Sequence, residues 1–245
     1  MKMKHTLAFL FSLIAVCSVL ETKAQDKKPD SIPAKTYRYG VRVGVDLSKI
    51  ARAFYEKDYK GLELVGDYRL TKKYYIAGEL GNEEKTVNDE RLNFTTKGTF
   101  FKVGFDYNLY ENWLDMENMV YIGARYGVSS FSQTLNSYKV YDRYPYFGFP
   151  QNIESGEKFT GLSAQWIEVL LGVKAKVINN FYVGFSLRVN KLFTNKRPDN
   201  FDNLFIPGFN RTYDGTFGAG FNYTVSYFLP IYKKKDPTAL VKKKK

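Results

Sequence analysis

The sequence predicts an all-β fold, a transmembrane up-and-down antiparallel β-barrel of about eight strands. Three observations predict it. Apolar residues recur at every second position in eight separate segments, the signature of strands with two unlike faces. The connections between those segments alternate between long and short, as they do in barrels with short turns on one side of a membrane and long loops on the other. A secretory leader opens the chain, yet no stretch after it approaches the ~20 apolar residues of a spanning helix, so a membrane crossing has to be made by strands.

The leader occupies residues 1–24: basic Lys2 and Lys4, an apolar run from Leu7 to Leu20, and the small-residue site Thr22-Lys23-Ala24 before Gln25. The run Ile14-Ala15-Val16-Cys17 departs from a lipoprotein processing box at the β-branched Val16, so ordinary cleavage near Gln25 is the expectation. The single histidine, His5, and the single cysteine, Cys17, both lie in this leader. The mature chain therefore has no disulfide, no Ser-His-Asp or Cys-His pair and no histidine- or cysteine-ligated metal. No catalytic, cofactor or metal site is expected, and an enzyme is disfavoured. Removing Lys2, Lys4, Lys23 and Glu21 from the 37 basic and 25 acidic residues leaves 34 and 24, a net charge of +10. Much of the excess sits in a Lys-rich C-terminal stretch, 232–245, with Lys233 to Lys235 and Lys242 to Lys245. For an exported chain the natural partners are outer-membrane lipid and lipopolysaccharide, or another outer-membrane protein, rather than nucleic acid.

Residues 25–36 form a polar, proline-bearing lead-in, and the barrel is expected over 37–231. Strand one alternates Tyr37, Tyr39, Val41, Val43, Val45 and Leu47 with Arg38, Gly40, Arg42, Gly44 and Asp46. Strand two, Leu62–Leu70, sets Leu62, Leu64 and Tyr68 against Glu63, Asp67 and Arg69; after Thr71-Lys72-Lys73, strand three sets Tyr74, Ile76 and Leu80 against Tyr75, Ala77 and Glu79. Phe101 to Leu109 and Val120 to Val128 make strands four and five, with Lys102, Asp106 and Arg125 on their polar faces. Strand six, Ile167 to Val177, carries Glu168, Lys174 and Lys176, turns at Asn179-Asn180, and is followed by Phe181 to Asn190 with Arg188. Phe217 to Leu229 closes the set. Long connections are expected at Lys49–Lys60, Asn82–Lys97, Ser130–Gly161 and Thr194–Tyr213.

Leader, eight alternating segments and alternating connections together resemble the small OmpX/OmpA-type outer-membrane barrels over nearly the whole mature chain. Thr216-Phe217-Gly218-Ala219-Gly220-Phe221-Asn222-Tyr223 is similar to the assembly signal of that class, although Pro230 and the lysines follow it. The Ala24-Gln25 junction and Asp30-Ser31-Ile32, which is similar to a Bacteroidota O-glycosylation motif, point to a barrel family of that phylum. The resemblance implies a bacterial outer-membrane location.

A soluble lipocalin-like carrier alternates too, with its apolar side inward. The nearly charge-free apolar faces and the glycine-rich polar faces favour lipid outside and a crowded lumen inside. The inward charges are Arg38, Arg42, Arg69, Lys102, Arg125, Lys174, Lys176 and Arg188 against Asp46, Glu63, Asp67, Glu79, Asp106 and Glu168. Mixed signs of nearly equal number suggest an interlocked ion-pair network and a closed barrel rather than a selective pore. The long connections are rich in aromatics: Tyr138, Tyr141, Tyr144, Tyr146, Phe147 and Phe149 in one, Phe205 and Phe209 in another. Either they pack on strands that extend beyond the bilayer, or they form a binding face for a protein or glycan partner. A structural or interaction barrel is the expected function, with a small-solute or lipophile conduit as the alternative.

Overall fold

The computed structural model describes residues 36–112, 116–140, 152–199, 202–209, 211–213 and 215–235. The leader with Cys17, the Asp30-Ser31-Ile32 motif and the lysines beyond Lys235 lie outside the described residues. Eight long strands make the wall: β1 (Thr36–Asp46), β2 (Tyr59–Arg69), β3 (Tyr74–Asn88), β4 (Leu92–Asn108), β5 (Met119–Lys139), β6 (Asn152–Ile178), β7 (Phe181–Lys196) and β9 (Phe217–Lys235). Helix α1 (Leu47–Tyr55) joins β1 to β2, and a three-residue strand, β8 (Arg211–Tyr213), precedes β9. Each long strand pairs antiparallel with the next, and β9 closes on β1 from Thr36–Lys235 to Asp46–Thr224. Ring closure satisfies the backbone of every wall strand within the lipid, where an open edge is intolerable. Beyond the end of β1, β8 takes up the vacated side of β9.

The strands outrun the segments that alternation marks. Asn82–Lys97, expected as a long connection, is a hairpin in which Asn88 pairs with Asn93. Ser130–Gly161 is mostly β5 and β6, which pair up to Lys139 and Asn152. Lys49–Lys60 holds α1, started by the Asp46 carboxylate, which accepts a hydrogen bond from the Ser48 amide at 2.9 Å. Nor does the barrel end at 231: Lys233, Lys234 and Lys235 are strand residues paired with Arg38, Tyr37 and Thr36.

The physical reason is a change of faces partway up the wall. In the half nearer the short turns, outward residues such as Leu64, Ile76, Phe105, Ile122, Val169, Leu187 and Leu229 are apolar and exposed. So continuous an exposed belt is stable only in lipid. Tyr74–Tyr107 and Phe181–Tyr227, each with ring centroids 5.0 Å apart, mark its lower rim, and Tyr126–Phe193, at 6.0 Å, its upper one. The 12 residue steps from Phe181 to Phe193 in β7 rise roughly 30 Å at ~3.3 Å per residue and ~40° of tilt, the thickness of a hydrocarbon core. Above that rim the outward positions become polar, at Asn82, Thr99, Ser130 and Gln165, while the inward ones become apolar, at Phe94, Phe100, Phe131, Leu135, Leu162 and Leu192. The chain is thus a transmembrane barrel below and is built like a water-soluble barrel above.

Candidate functional site

Inward side chains of the lower half meet in a lumen just wide enough to be filled by them. Asp67 is held by Arg42 Nε at 2.8 Å and Lys174 Nζ at 2.7 Å, and Arg125 lies 2.7 Å from Asp106 and 3.3 Å from Glu79. Arg188 reaches Glu79 at 2.6 Å and Glu168 at 3.1 Å. Lys102 Nζ sits among Glu168 at 3.3 Å, Glu79 at 3.4 Å and Glu63 at 3.9 Å. Lys49 completes the chain of pairs, 3.4 Å from Glu63 and bonded to Glu83 at 2.5 Å. Arg42, Lys49, Lys102, Arg125, Lys174 and Arg188 face Glu63, Asp67, Glu79, Glu83, Asp106 and Glu168, six charges of each sign, so the set is internally neutral. The space beside Arg42, Asp67, Glu79 and Arg125 is about 30 Å³, room for a water or two but no passage.

Four expected members of this network stand elsewhere. Asp46 caps α1 and accepts from Asn222, because the strand ends there and a helix N-terminus needs an acceptor. Arg38 and Lys176 sit at the short-turn mouth, where both pair with Glu117. Arg69, at the same mouth, donates to the carbonyls of Thr71, Arg38 and Lys72 at 3.1 to 3.3 Å. Conversely, Lys49 and Glu83 were missed because both lie in segments read as loops. The signal for Lys49 was there: Asp46 followed by Leu47, Ile50 and Phe54 at helical spacing.

Above the network the lumen is stoppered from within. Phe205, Ile206 and Phe209 of the β7–β8 connection are buried, so the expectation that Phe205 and Phe209 face a partner is corrected. Phe209 meets the Trp166 ring edge-on at 5.6 Å between centroids, and Phe205 packs with Tyr59 and Phe94. An apolar mouth close by offers these rings a dry site, whereas Leu204 alone of this run stays exposed. Room for Trp166 comes from Gly127, where a Cβ would lie 2.3 Å from the indole. The stopper is also tied by polar bonds: Gly208 N–H donates to Glu83 at 2.6 Å, Asn190 to the Phe209 carbonyl at 2.7 Å, and Gln133 to the Asp202 carbonyl at 2.9 Å. Since Glu83 also takes Lys49 and the Tyr59 hydroxyl, one carboxylate joins helix, wall and stopper.

Tyr138 is half-buried in β5, opposite Ile153. Tyr141, Tyr144, Tyr146, Phe147 and Phe149 lie outside the described residues. Strand β7 accompanies β6 only as far as Ser163–Lys196, so Asn152–Leu162 has β5 on one side and, among the described residues, no strand on the other. Gly156 and Gly161, both at positive φ, sit where the β5–β6 register shifts. Among the described residues no group of three His, Cys, Asp or Glu side chains forms a cage for a metal ion.

The family described as a domain of unknown function, DUF6048, matches residues 2–234. No curated protein matches the chain in sequence. Among solved structures it is similar to Ail, the attachment invasion locus protein of Yersinia pestis, at 10% identity and a TM-score of 0.38 over 80% of this chain and 98% of Ail. It is also similar to Neisserial surface protein A (NspA), at 12% identity and a TM-score of 0.39 over 79% of this chain and 97% of that one.

Proposed function

This chain belongs to the DUF6048 family, and we propose that it is an outer-membrane barrel that works by contact rather than by transport. The observation that carries this reading is the filled lumen: a neutral ion-pair network through the membrane zone and the apolar stopper Phe205-Ile206-Phe209 above it. A barrel closed twice offers no path for a solute, which sets the small-solute conduit second. What it offers instead is the extension of β3 to β6, which carries a β6 segment, Asn152–Leu162, with no second strand beside it among the described residues, and the connection from β5 to β6. A protein or glycan partner is expected there, with lipid and lipopolysaccharide around the belt. Residues 1–24 supply the export signal, and the aromatic contact surface is the β5–β6 connection without Phe205 and Phe209.

The test is capture from solubilised outer membrane, with full-length protein beside a variant lacking Tyr141 to Phe149. A stoichiometric partner retained by the first and lost by the second, with barrel assembly intact in both, supports the reading. Equal capture by both would refute it.

A further inference from the structure

The short-turn mouth holds a cavity of about 250 Å³ that the closed-barrel reading does not use. Its lining includes Arg38, Arg42, Arg69, Lys176 and Lys233 against one described carboxylate, Glu117. Asp67 neutralises Arg42 from the lumen side, so the remaining described charges are four positive and one negative. This contrasts with the network just above, where the signs cancel. Glu117 is heavily subscribed: Arg38 grips it with two nitrogens, Lys176 Nζ lies 3.3 Å away, and the Tyr182 hydroxyl donates to it at 2.9 Å. Burial disfavours its charged form, but these donors outweigh that and hold the carboxyl down at about 2. Arg69 has no carboxylate partner among the described residues; it is steadied by three carbonyls and lies over the rings of Tyr37, Tyr39 and Tyr75 at 5.1 to 5.7 Å. Lys233 stands on the exposed rim with no described carboxylate either. Fixed guanidinium forks beside mobile ammonium groups and a tyrosine hydroxyl are the donor set that phosphate oxygens accept.

We propose that this mouth is a binding site for a phosphate group, presented either by a phospholipid headgroup of the adjoining leaflet or by a soluble phosphomonoester. Arg69 and Lys233 supply the primary contacts, Arg38 and Lys176 the second side, and Glu117 competes with the ligand for the latter pair. The site lies at the opposite end from the extension, so it stands or falls independently of the contact surface proposed above.

The experiment titrates full-length, detergent-folded protein with inorganic phosphate and, separately, with vesicles of phosphatidylcholine with or without phosphatidic acid. Binding of either probe by the wild type, weakened at least tenfold in R69A/K233A and strengthened severalfold in Glu117→Gln, supports the site. Binding of phosphate assigns the soluble source, and binding of the phosphatidic acid vesicles alone assigns the lipid one. A truncation after Lys235 that keeps the affinity separates the pocket from the lysines that follow it. Retained gel mobility of the folded form shows that each variant still assembles. No binding of either probe, equal binding by R69A/K233A, or binding lost only with the truncation would overturn the proposal.

Discussion

Arg188 places one nitrogen on Glu79 at 2.6 Å and on Glu168 at 3.1 Å, and both carboxylates are buried. Replacing it by alanine leaves two buried charges short of a partner, a defect that typically costs about 3–5 kcal/mol. R188A should lower the urea midpoint of the lipid-refolded barrel accordingly, read from the loss of its compact gel mobility; a change below about 1 kcal/mol would mean that the pairs do not act as a network. Glu117 gives a prediction with a pH window. Its carboxyl titrates at about 2 in the folded protein, below the ordinary value of 4.5. A depressed carboxyl stabilises the fold fully above the unfolded value and loses that contribution as pH falls to the folded one. Wild type should therefore weaken between pH 4.5 and about 2 more steeply than Glu117→Gln, measured as the urea midpoint against pH. Parallel curves would show that Glu117 contributes nothing there.

At the scale of elements, the stopper depends on Gly208. Its φ of +80° is the left-handed region, and a Cβ there would lie 2.3 Å from the Phe100 ring. The φ alone costs a side chain about 1–2 kcal/mol, and the ring contact adds to it. G208A should speed proteolysis within 202–209 while the wall keeps its gel mobility; unchanged cleavage would mean that the connection is not anchored by this residue. Period two disclosed each wall strand in the lipid zone, since a lipid-facing row and a charged row differ at every step, as Phe101, Val103 and Phe105 differ from Lys102 and Asp106. It failed above that zone because Phe131 and Leu135 point inward while Ser132 and Thr134 point outward, which reverses the rule without interrupting the strand. Most of the charged lumen was legible for the same reason, but Lys49 and Glu83 were hidden in segments read as loops, and Arg38, Asp46, Arg69 and Lys176 alternate inward without joining the network. The stopper was not legible, because Phe205 and Phe209 read equally well as a surface patch until the neighbouring cavity, made by Trp166, Phe100 and Tyr59 from three other strands, is known. Local sequence carries no record of that distant vacancy.

At the scale of the whole molecule, closure is duplicated. Removing the stopper, residues 203–209, leaves the ion pairs of the membrane zone, from Arg42–Asp67 to Arg188–Glu168, in place, so that variant alone should stay closed. Combining the deletion with the charge-neutral R188M/E79M replacement should open a path. The central claim is tested most directly by the wild-type protein in a planar lipid bilayer. At ±100 mV, insertion confirmed by recovery of folded protein should bring no steady conductance step. A reproducible ohmic conductance from the intact chain would contradict the closed barrel and return the conduit to first place.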